Sequence, residues 1–165
     1  MPEPLASALL SCRRMRSKTW RAILVGGLVA GTLDITAAFI QASLRGGSPV
    51  RVLKAIASGV FGSPAFEGGA ATAALGLLLH FVIALGAATV YVGASRKLGV
   101  LLDKPVLCGL AYGIAVWAFM NLVVLPLSAV PFSTLRSVQS AATAMAILMV
   151  CVGLPIALTA RRVLR

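Results

Sequence analysis

The chain has 165 residues, of which 59% are hydrophobic and only 12% are charged, with a net charge of +11. Soluble domains carry about 25% charged residues, so this composition excludes an ordinary water-soluble protein and favours a single integral membrane domain. The basic residues cluster beside apolar segments and lack the interleaved aromatic residues of a nucleic-acid surface. We therefore expect the lipid bilayer, and no nucleic acid, as the partner.

Residues 1–19 form a short basic tail, and the apolar segment 20–43 is long enough to cross about 30 Å of hydrocarbon. Trp20 and Arg21 open this segment as an interfacial aromatic residue and a cationic anchor. The segment nevertheless contains a carboxylate, Asp34, within "GTLDITAAFIQ". A charge inside a membrane helix is costly, so an intramembrane aspartate is a hypothesis for a functional site.

Residues 49–62, which follow the first span, are too few to cross a bilayer. Ser48 followed by Pro49 is typical of a helix start, with a cap and then the first helical position. Apolar residues recur every three or four positions, which predicts an amphipathic helix lying at the outer membrane interface. A re-entrant loop is the alternative, although Arg51 and Lys54 disfavour burial.

Three more apolar segments follow, at residues 70–95, 106–129 and 139–160. The basic turn "RKLGVLLDKP" joins the first two, and "PFSTLRSVQS" joins the last two. Pro126 predicts a kink or an opened turn near the end of the third span. These lengths predict an all-α membrane protein, a four-transmembrane-helix up-down bundle with a short amphipathic helix between spans 1 and 2.

Most basic residues lie on the side of this bundle that holds both ends of the chain. Five of them lie before or at the start of the first span: Arg13, Arg14, Arg16, Lys18 and Arg21. Cytoplasmic segments of membrane proteins carry an excess of lysine and arginine. We therefore expect a multi-pass membrane protein with both termini in the cytoplasm.

Glycines four residues apart occur in the first and third spans. Gly27 and Gly31 lie in "GLVAG", and Gly109 and Gly113 lie in "GLAYG". Because such pairs let two helix backbones approach closely, we interpret all four as helix-packing positions. A two-hairpin repeat is the alternative interpretation, since parallel repeats occur in transporters.

Four polar side chains lie deep in separate spans: Asp34, His80, Asn121 and Thr143. At 1.5 Å per residue, each lies roughly 20 to 27 Å from the basic residue at the cytoplasmic end of its own span. Because four independent counts give similar heights, we predict one inward-facing polar layer in the outer half of the bundle. Asp34 and His80 could then share a proton as a coupled pair, and Asn121 could bridge them.

Two functions are compatible with this layer. It could be a proton-responsive site for transport or sensing of a small solute. Alternatively, it fixes helix packing in a structural or accessory membrane subunit, through interhelical hydrogen bonds of about 1 kcal/mol or less. Four short helices enclose little room for a solute path, so we expect a homo-oligomer or an unidentified membrane partner.

Catalysis is weakly supported by the sequence, and we expect no enzyme, no cofactor and no metal. One histidine and one intramembrane aspartate do not supply the three protein ligands that a catalytic metal usually needs. No serine lies in a recognisable nucleophile motif.

The segments "LHFVIALGAATVYVGASRKL", "GLAYG" and "MNLVVLPLSAVP" resemble small uncharacterised bacterial inner-membrane proteins of the YagU-like group. In that group a span also carries a histidine, and a later span ends in a Pro-Leu step. The resemblance covers spans 2 and 3, about half of the chain, and does not extend to the N-terminal half. It implies an integral membrane protein of bacterial type and brings no established activity.

Overall fold

The computed structural model describes residues 3–130 and 138–165, with side chains from residue 15 onward. All secondary structure within these ranges is helical. The elements before residue 100 are the helices Glu3–Leu44, Pro49–Phe61 and Ala70–Ser95 and the 3-10 turn Ser63–Phe66. The elements after it are the helices Val100–Asp103, Pro105–Phe119, Leu125–Leu127, Val138–Ile147 and Leu154–Leu164 and the π-helical segments Met120–Val124 and Leu148–Gly153.

Four continuous helical stretches are long and apolar enough to cross a membrane. We call them spans 1 to 4: Met15–Leu44, Ala70–Ser95, Pro105–Leu127 and Val138–Leu164. They confirm the predicted all-helical class and the number of spans, and they make the chain compatible with a multi-pass membrane protein. Span 1 continues from the helix that begins at Glu3, so the predicted tail is helical from residue 3 onward. The predicted link between spans 3 and 4 falls largely on residues 131–137, outside the described residues.

The helix Pro49–Phe61, which we call the connecting helix, begins where the sequence predicts. Ser48 has extended backbone, and its Oγ accepts the backbone N–H of Arg51 at 3.3 Å. Lys54 donates from Nζ to the carbonyl of Phe66 at 3.2 Å. The connecting helix packs against span 2, where Gly76 leaves room for the backbone carbonyl of Leu53.

We expect Ser48→Ala to lower the free energy of unfolding by about 0.5 to 2 kcal/mol, because the first turn of the connecting helix loses its side-chain cap. Denaturant titration of the purified protein in detergent measures this change. Ser43→Ala, at the exposed end of span 1, is the matched control and should change the unfolding free energy much less. Equal losses in both variants would contradict a specific capping role.

Small side chains predominate in the interior of the bundle, and many large apolar side chains lie on its outside. Ala30, Ala88 and Ala157 have no exposed surface, whereas Val82 and Leu107 are more than half exposed. In lipid, helices associate through close packing of small residues and not through exclusion of apolar surface from water. An outer surface of large apolar side chains is compatible with surrounding acyl chains.

The glycine pair of span 1 lies against span 2. A Cβ on Gly27 would come within 2.7 Å of the Leu85 side chain, and one on Gly31 within 2.9 Å of the Phe81 ring. Both glycines therefore lie where spans 1 and 2 approach each other closely.

The glycine pair of span 3 lies against span 4. A Cβ on Gly109 would come within 2.9 Å of the Cβ of Ala157, and one on Gly113 would overlap the backbone of Met149. Gly153 of span 4 lies between the two glycines and in contact with the backbone of both. The sequence did not single out Gly153, because it has no glycine partner four residues away.

A proline follows each π-helical segment at short range. Pro126 has no N–H for the carbonyl of Leu122, and Pro155 has none for the carbonyl of Cys151. Because the proline ring also crowds that carbonyl, the preceding turn widens, and a widened turn inside an α-helix is a π-helical segment. The opened turn that Pro126 predicts is thus found as the segment Met120–Val124.

Candidate functional site

A cavity of about 110 Å³ lies at the centre of the bundle. All four spans and the connecting helix contribute to its wall, the connecting helix through Ile56 and spans 3 and 4 through Val116 and Val152. The titratable side chains that line it are Asp34 of span 1 and His80 of span 2, and the remaining lining residues are apolar. Two titratable side chains from different spans therefore line one cavity whose remaining wall is apolar.

His80 is held by the backbone of span 1. Its Nε2 lies 2.9 Å from the carbonyl oxygen of Gly31. Because a carbonyl oxygen only accepts, Nε2 carries the proton in this bond, and Nδ1 is left for a second partner. Gly31 lies three residues before Asp34, so the imidazole is fixed on the face of span 1 that carries the carboxylate.

Asp34 is half-buried at the cavity wall. Among the residues that the structure describes, no lysine or arginine lines this cavity. The imidazole of His80 is accordingly the side chain there that becomes cationic when it takes up a second proton. Opposite charges in a site with little water interact far more strongly than in bulk solvent, so the charge on either side chain depends on the charge on the other.

Asn121 and Thr143 do not join this pair, so the structure does not show the predicted four-residue layer. The amide Nδ2 of Asn121 donates to the carbonyl of Trp117 at 2.8 Å, one turn back along span 3. The Oγ1 of Thr143 donates to the carbonyl of Gln139 at 2.8 Å, and Thr143 is exposed. Each of these hydrogen bonds stays within the side chain's own helix.

Asn121 lies apart from Asp34 and His80 because of its direction around the helix, which its height along the helix does not determine. Counting residues gives the height of a side chain along a helix axis, because the rise per residue is constant. It does not give the direction in which the side chain points once a π-helical segment alters the residues per turn. Asn121 lies inside such a segment, Met120–Val124, and its amide returns to its own backbone.

The π-helical segments themselves border the cavity. Met120 lines it from the first segment, and Leu148 and Val152 line it from the second. π-helical turns inside α-helices occur frequently at functional sites. The sequence offered a signal for both, since Pro126 and Pro155 each lie just beyond a cavity-lining turn.

Two tyrosines connect the cavity wall to the turn between spans 2 and 3 through hydrogen bonds and a ring contact. Tyr112 donates its hydroxyl to the carbonyl of Ala87, a lining residue, at 2.7 Å. Its ring packs edge-to-face on the buried ring of Tyr91 at 5.0 Å, and Tyr91 donates to the carbonyl of Leu101 at 3.0 Å. Tyr91 is therefore packed in the interior of the bundle.

A second unusual polar group lies near the cavity in span 3. The Nε1 of Trp117 is buried, and no hydrogen-bond acceptor for it is found in the described part of the chain. Val116, the residue before it, lines the cavity. A buried donor without a partner costs free energy, so this indole is sensitive to any acceptor that enters its surroundings.

The chemistry available in this cavity is proton binding at a carboxylate–imidazole pair. The space is large enough for a few water molecules, which suits a proton or a very small solute. Within the described ranges, no group of three or more His, Cys, Asp or Glu side chains could hold a metal ion.

No family model, no curated protein and no solved structure matches this chain. Its resemblance to the YagU-like group stays a prediction.

Proposed function

We propose that this chain is a multi-pass protein of the bacterial inner membrane in which Asp34 and His80 form a proton-binding centre that serves proton-linked transport or sensing of a small solute. The proposal includes an up-down arrangement of the four spans with both termini in the cytoplasm. It includes no catalytic step and no cofactor.

Paired contacts support the up-down arrangement. Along span 1, Gly27 meets Leu85 and Gly31 meets Phe81, so rising numbers in one span pair with falling numbers in the next. In the glycine contacts between spans 3 and 4 described above, rising numbers in one span likewise pair with falling numbers in the other. In an up-down arrangement, the basic residues near the two ends of the chain lie on the same side of the membrane. The positive-inside rule assigns that side to the cytoplasm.

The connecting helix then lies at the outer end of the bundle. The backbone N–H of Ala129, just beyond span 3, donates to the carbonyl of Gly59 at 3.0 Å. Arg51 is exposed, and Lys54 is bonded to the turn that follows the helix. These positions favour an interfacial helix whose Ile56 reaches inward to the cavity over a segment that re-enters the membrane.

The observation that carries the functional proposal is the meeting of Asp34 and His80 in one cavity walled by every span. Intramembrane carboxylates and histidines are costly and typically mark proton or solute pathways. The bond from Nε2 to Gly31 leaves Nδ1 as a proton acceptor, and the carboxylate supplies a second acceptor. A proton bound between them changes the charge in the cavity that all four spans line. The π-helical turns in the cavity wall are the elements best able to change conformation in response.

The second candidate function is that of a structural or accessory subunit. It is favoured by the 2.9 Å bond between His80 and Gly31, which joins spans 1 and 2 irrespective of any proton transfer. In this case the pair only fixes helix packing, and a homo-oligomer or another membrane protein would be the functional unit. Bonds of this kind contribute about 0.6 kcal/mol on average in membrane proteins.

The response of the purified protein to pH separates the two candidates. The chain has two tryptophans, Trp20 and Trp117, so Trp20→Phe leaves the fluorescence of Trp117 as a reporter beside the cavity. A proton-binding centre predicts a reversible change of Trp117 emission when the pH is varied between about 5 and 8. It also predicts faster dissipation of a pH gradient by vesicles containing the protein than by protein-free vesicles.

A structural subunit predicts the opposite pair of results. Trp117 emission would be the same throughout this pH range, and vesicles with and without protein would lose the gradient at the same rate. That outcome would overturn the proton-binding proposal in favour of the second candidate.

A further inference from the structure

A second pocket, of about 430 Å³, lies at the end of the bundle where span 3 begins and span 4 ends. We call it the arginine pocket, and its lining residues are Pro105, Val106, Leu158, Arg161, Arg162 and Arg165. Its volume lies in the range of small-molecule sites, about 300 to 1,000 Å³. It shares no lining residue with the central cavity.

The charge of the arginine pocket is strongly positive. Asp103, in the turn between spans 2 and 3, pairs with Arg165, and its backbone carbonyl accepts from Arg161 at 3.3 Å. Arg162 is exposed, and within the described residues its guanidinium has no ion pair or hydrogen bond. Three guanidinium groups line the pocket and one carboxylate pairs with one of them, so the rim keeps a net positive charge.

The backbone adds to this charge. Pro105 is the first residue of the helix Pro105–Phe119, and no side chain caps that end. The N-terminus of a helix carries partial positive charge and unsatisfied N–H groups. The same pocket therefore offers guanidinium groups and a helix N-terminus to a single anion.

The floor of the pocket is apolar and open to the outer surface of the bundle. Val106 is 52% exposed and Leu158 is 37% exposed. The neighbouring Leu107, at 73% exposed, extends this apolar surface along span 3. A ligand in the pocket can hence place an anionic group among the arginines and an apolar chain along the spans.

From this combination we infer that the arginine pocket binds an anionic phospholipid of the surrounding leaflet, with the phosphate at Arg161 and Arg162 and an acyl chain along Val106 and Leu158. Basic pockets between membrane helices at the cytoplasmic side suit anionic headgroups. Guanidinium groups bind phosphate oxygens through two parallel hydrogen bonds. Free phosphate would use the arginines but leave the apolar floor uncovered. The inference requires a membrane location and does not depend on the proton-binding centre.

Native mass spectrometry of the purified protein tests the inference. The protein is delipidated and offered detergent micelles that contain either phosphatidylglycerol or phosphatidylcholine. We expect one phosphatidylglycerol to be retained per chain, with phosphatidylcholine retained several-fold less. An excess of inorganic phosphate should leave the bound phosphatidylglycerol in place, because phosphate gains nothing from the apolar floor.

Arg162→Gln removes the guanidinium that has no described partner within the protein. It should weaken retention of phosphatidylglycerol about fivefold, since one basic residue near a membrane surface contributes about 1 kcal/mol. Arg96→Gln is the matched control, because Arg96 is an exposed arginine just past the end of span 2 and does not line the pocket. It should retain phosphatidylglycerol as the wild type does.

Three results would overturn the inference. Equal retention of the two lipids would show that headgroup charge is not recognised. Equal losses in Arg162→Gln and Arg96→Gln would show attraction by general surface charge instead of by this pocket. Displacement of the lipid by inorganic phosphate would show an anion site without a lipid-binding floor.

Discussion

Asp34→Asn should bring the dissipation of a pH gradient down to the rate of protein-free vesicles and abolish the pH response of Trp117 emission. The amide has nearly the size of the carboxylic acid but cannot take up or release a proton. Asp34 lines a cavity whose other titratable side chain is His80, so the variant leaves the imidazole without its partner. Because the shape is kept, the melting temperature in detergent should change little.

Glu67→Gln is the matched control for this variant. Glu67 is an exposed carboxylate in the turn before span 2 and does not line the central cavity. The control should keep both the vesicle activity and the fluorescence response. If Asp34→Asn kept both responses and only lowered the melting temperature, Asp34 would act in helix packing, as the second candidate function requires.

Gly113→Ala should cost about 3 kcal/mol or more of unfolding free energy. The added Cβ would overlap the backbone of Met149, and a backbone atom cannot move aside as the end of a flexible side chain can. Overpacking of a close contact typically costs about 1 to 3 kcal/mol. Gly153, on the same span as Met149, also contacts the backbone of Gly113. Denaturant titration in detergent measures the loss, and Gly113→Leu should leave no folded fraction.

Gly86→Ala and Gly93→Ala are the controls, because a Cβ at either position meets nothing within 4 Å. Alanine is favoured over glycine in a helix by about 1 kcal/mol, so these variants should be as stable as the wild type or slightly more stable. The close approach of spans 3 and 4 at Gly113 would be refuted by a Gly113→Ala variant as stable as Gly86→Ala.

The number of spans could be predicted because a membrane helix leaves a simple signal. About 20 apolar residues are needed to cross the hydrocarbon, and every backbone polar group in it must be bonded within the segment. The start of the connecting helix was also predictable, since Ser48 and Pro49 are local signals of a helix end. The helical continuation of span 1 back to Glu3 was not predicted, because beyond the basic cluster no apolar pattern marks where a helix begins.

The candidate site was predictable only in part. Asp34 and His80 could be paired from their heights, and both line one cavity. The exclusion of Asn121 could not be predicted, because it depends on a π-helical turn that redirects the side chain to Trp117. The reach of Ile56 into the cavity depends on how the connecting helix docks on span 2, and sequence periodicity does not determine such docking.

The pairing of Asp34 with His80 can be measured directly, because the chain contains a single histidine. Solid-state NMR of the protein in lipid bilayers, with ¹⁵N-labelled histidine and ¹³C-labelled aspartate, reports the distance from the imidazole to a carboxyl carbon. Asp34 and Asp103 are the two aspartates of the sequence, and Asp103→Asn removes the second. We expect a contact of about 6 Å or less, the range of direct charge interaction, which persists in Asp103→Asn and disappears in Asp34→Asn. Absence of this contact in the wild-type protein would contradict the existence of the proton-binding centre.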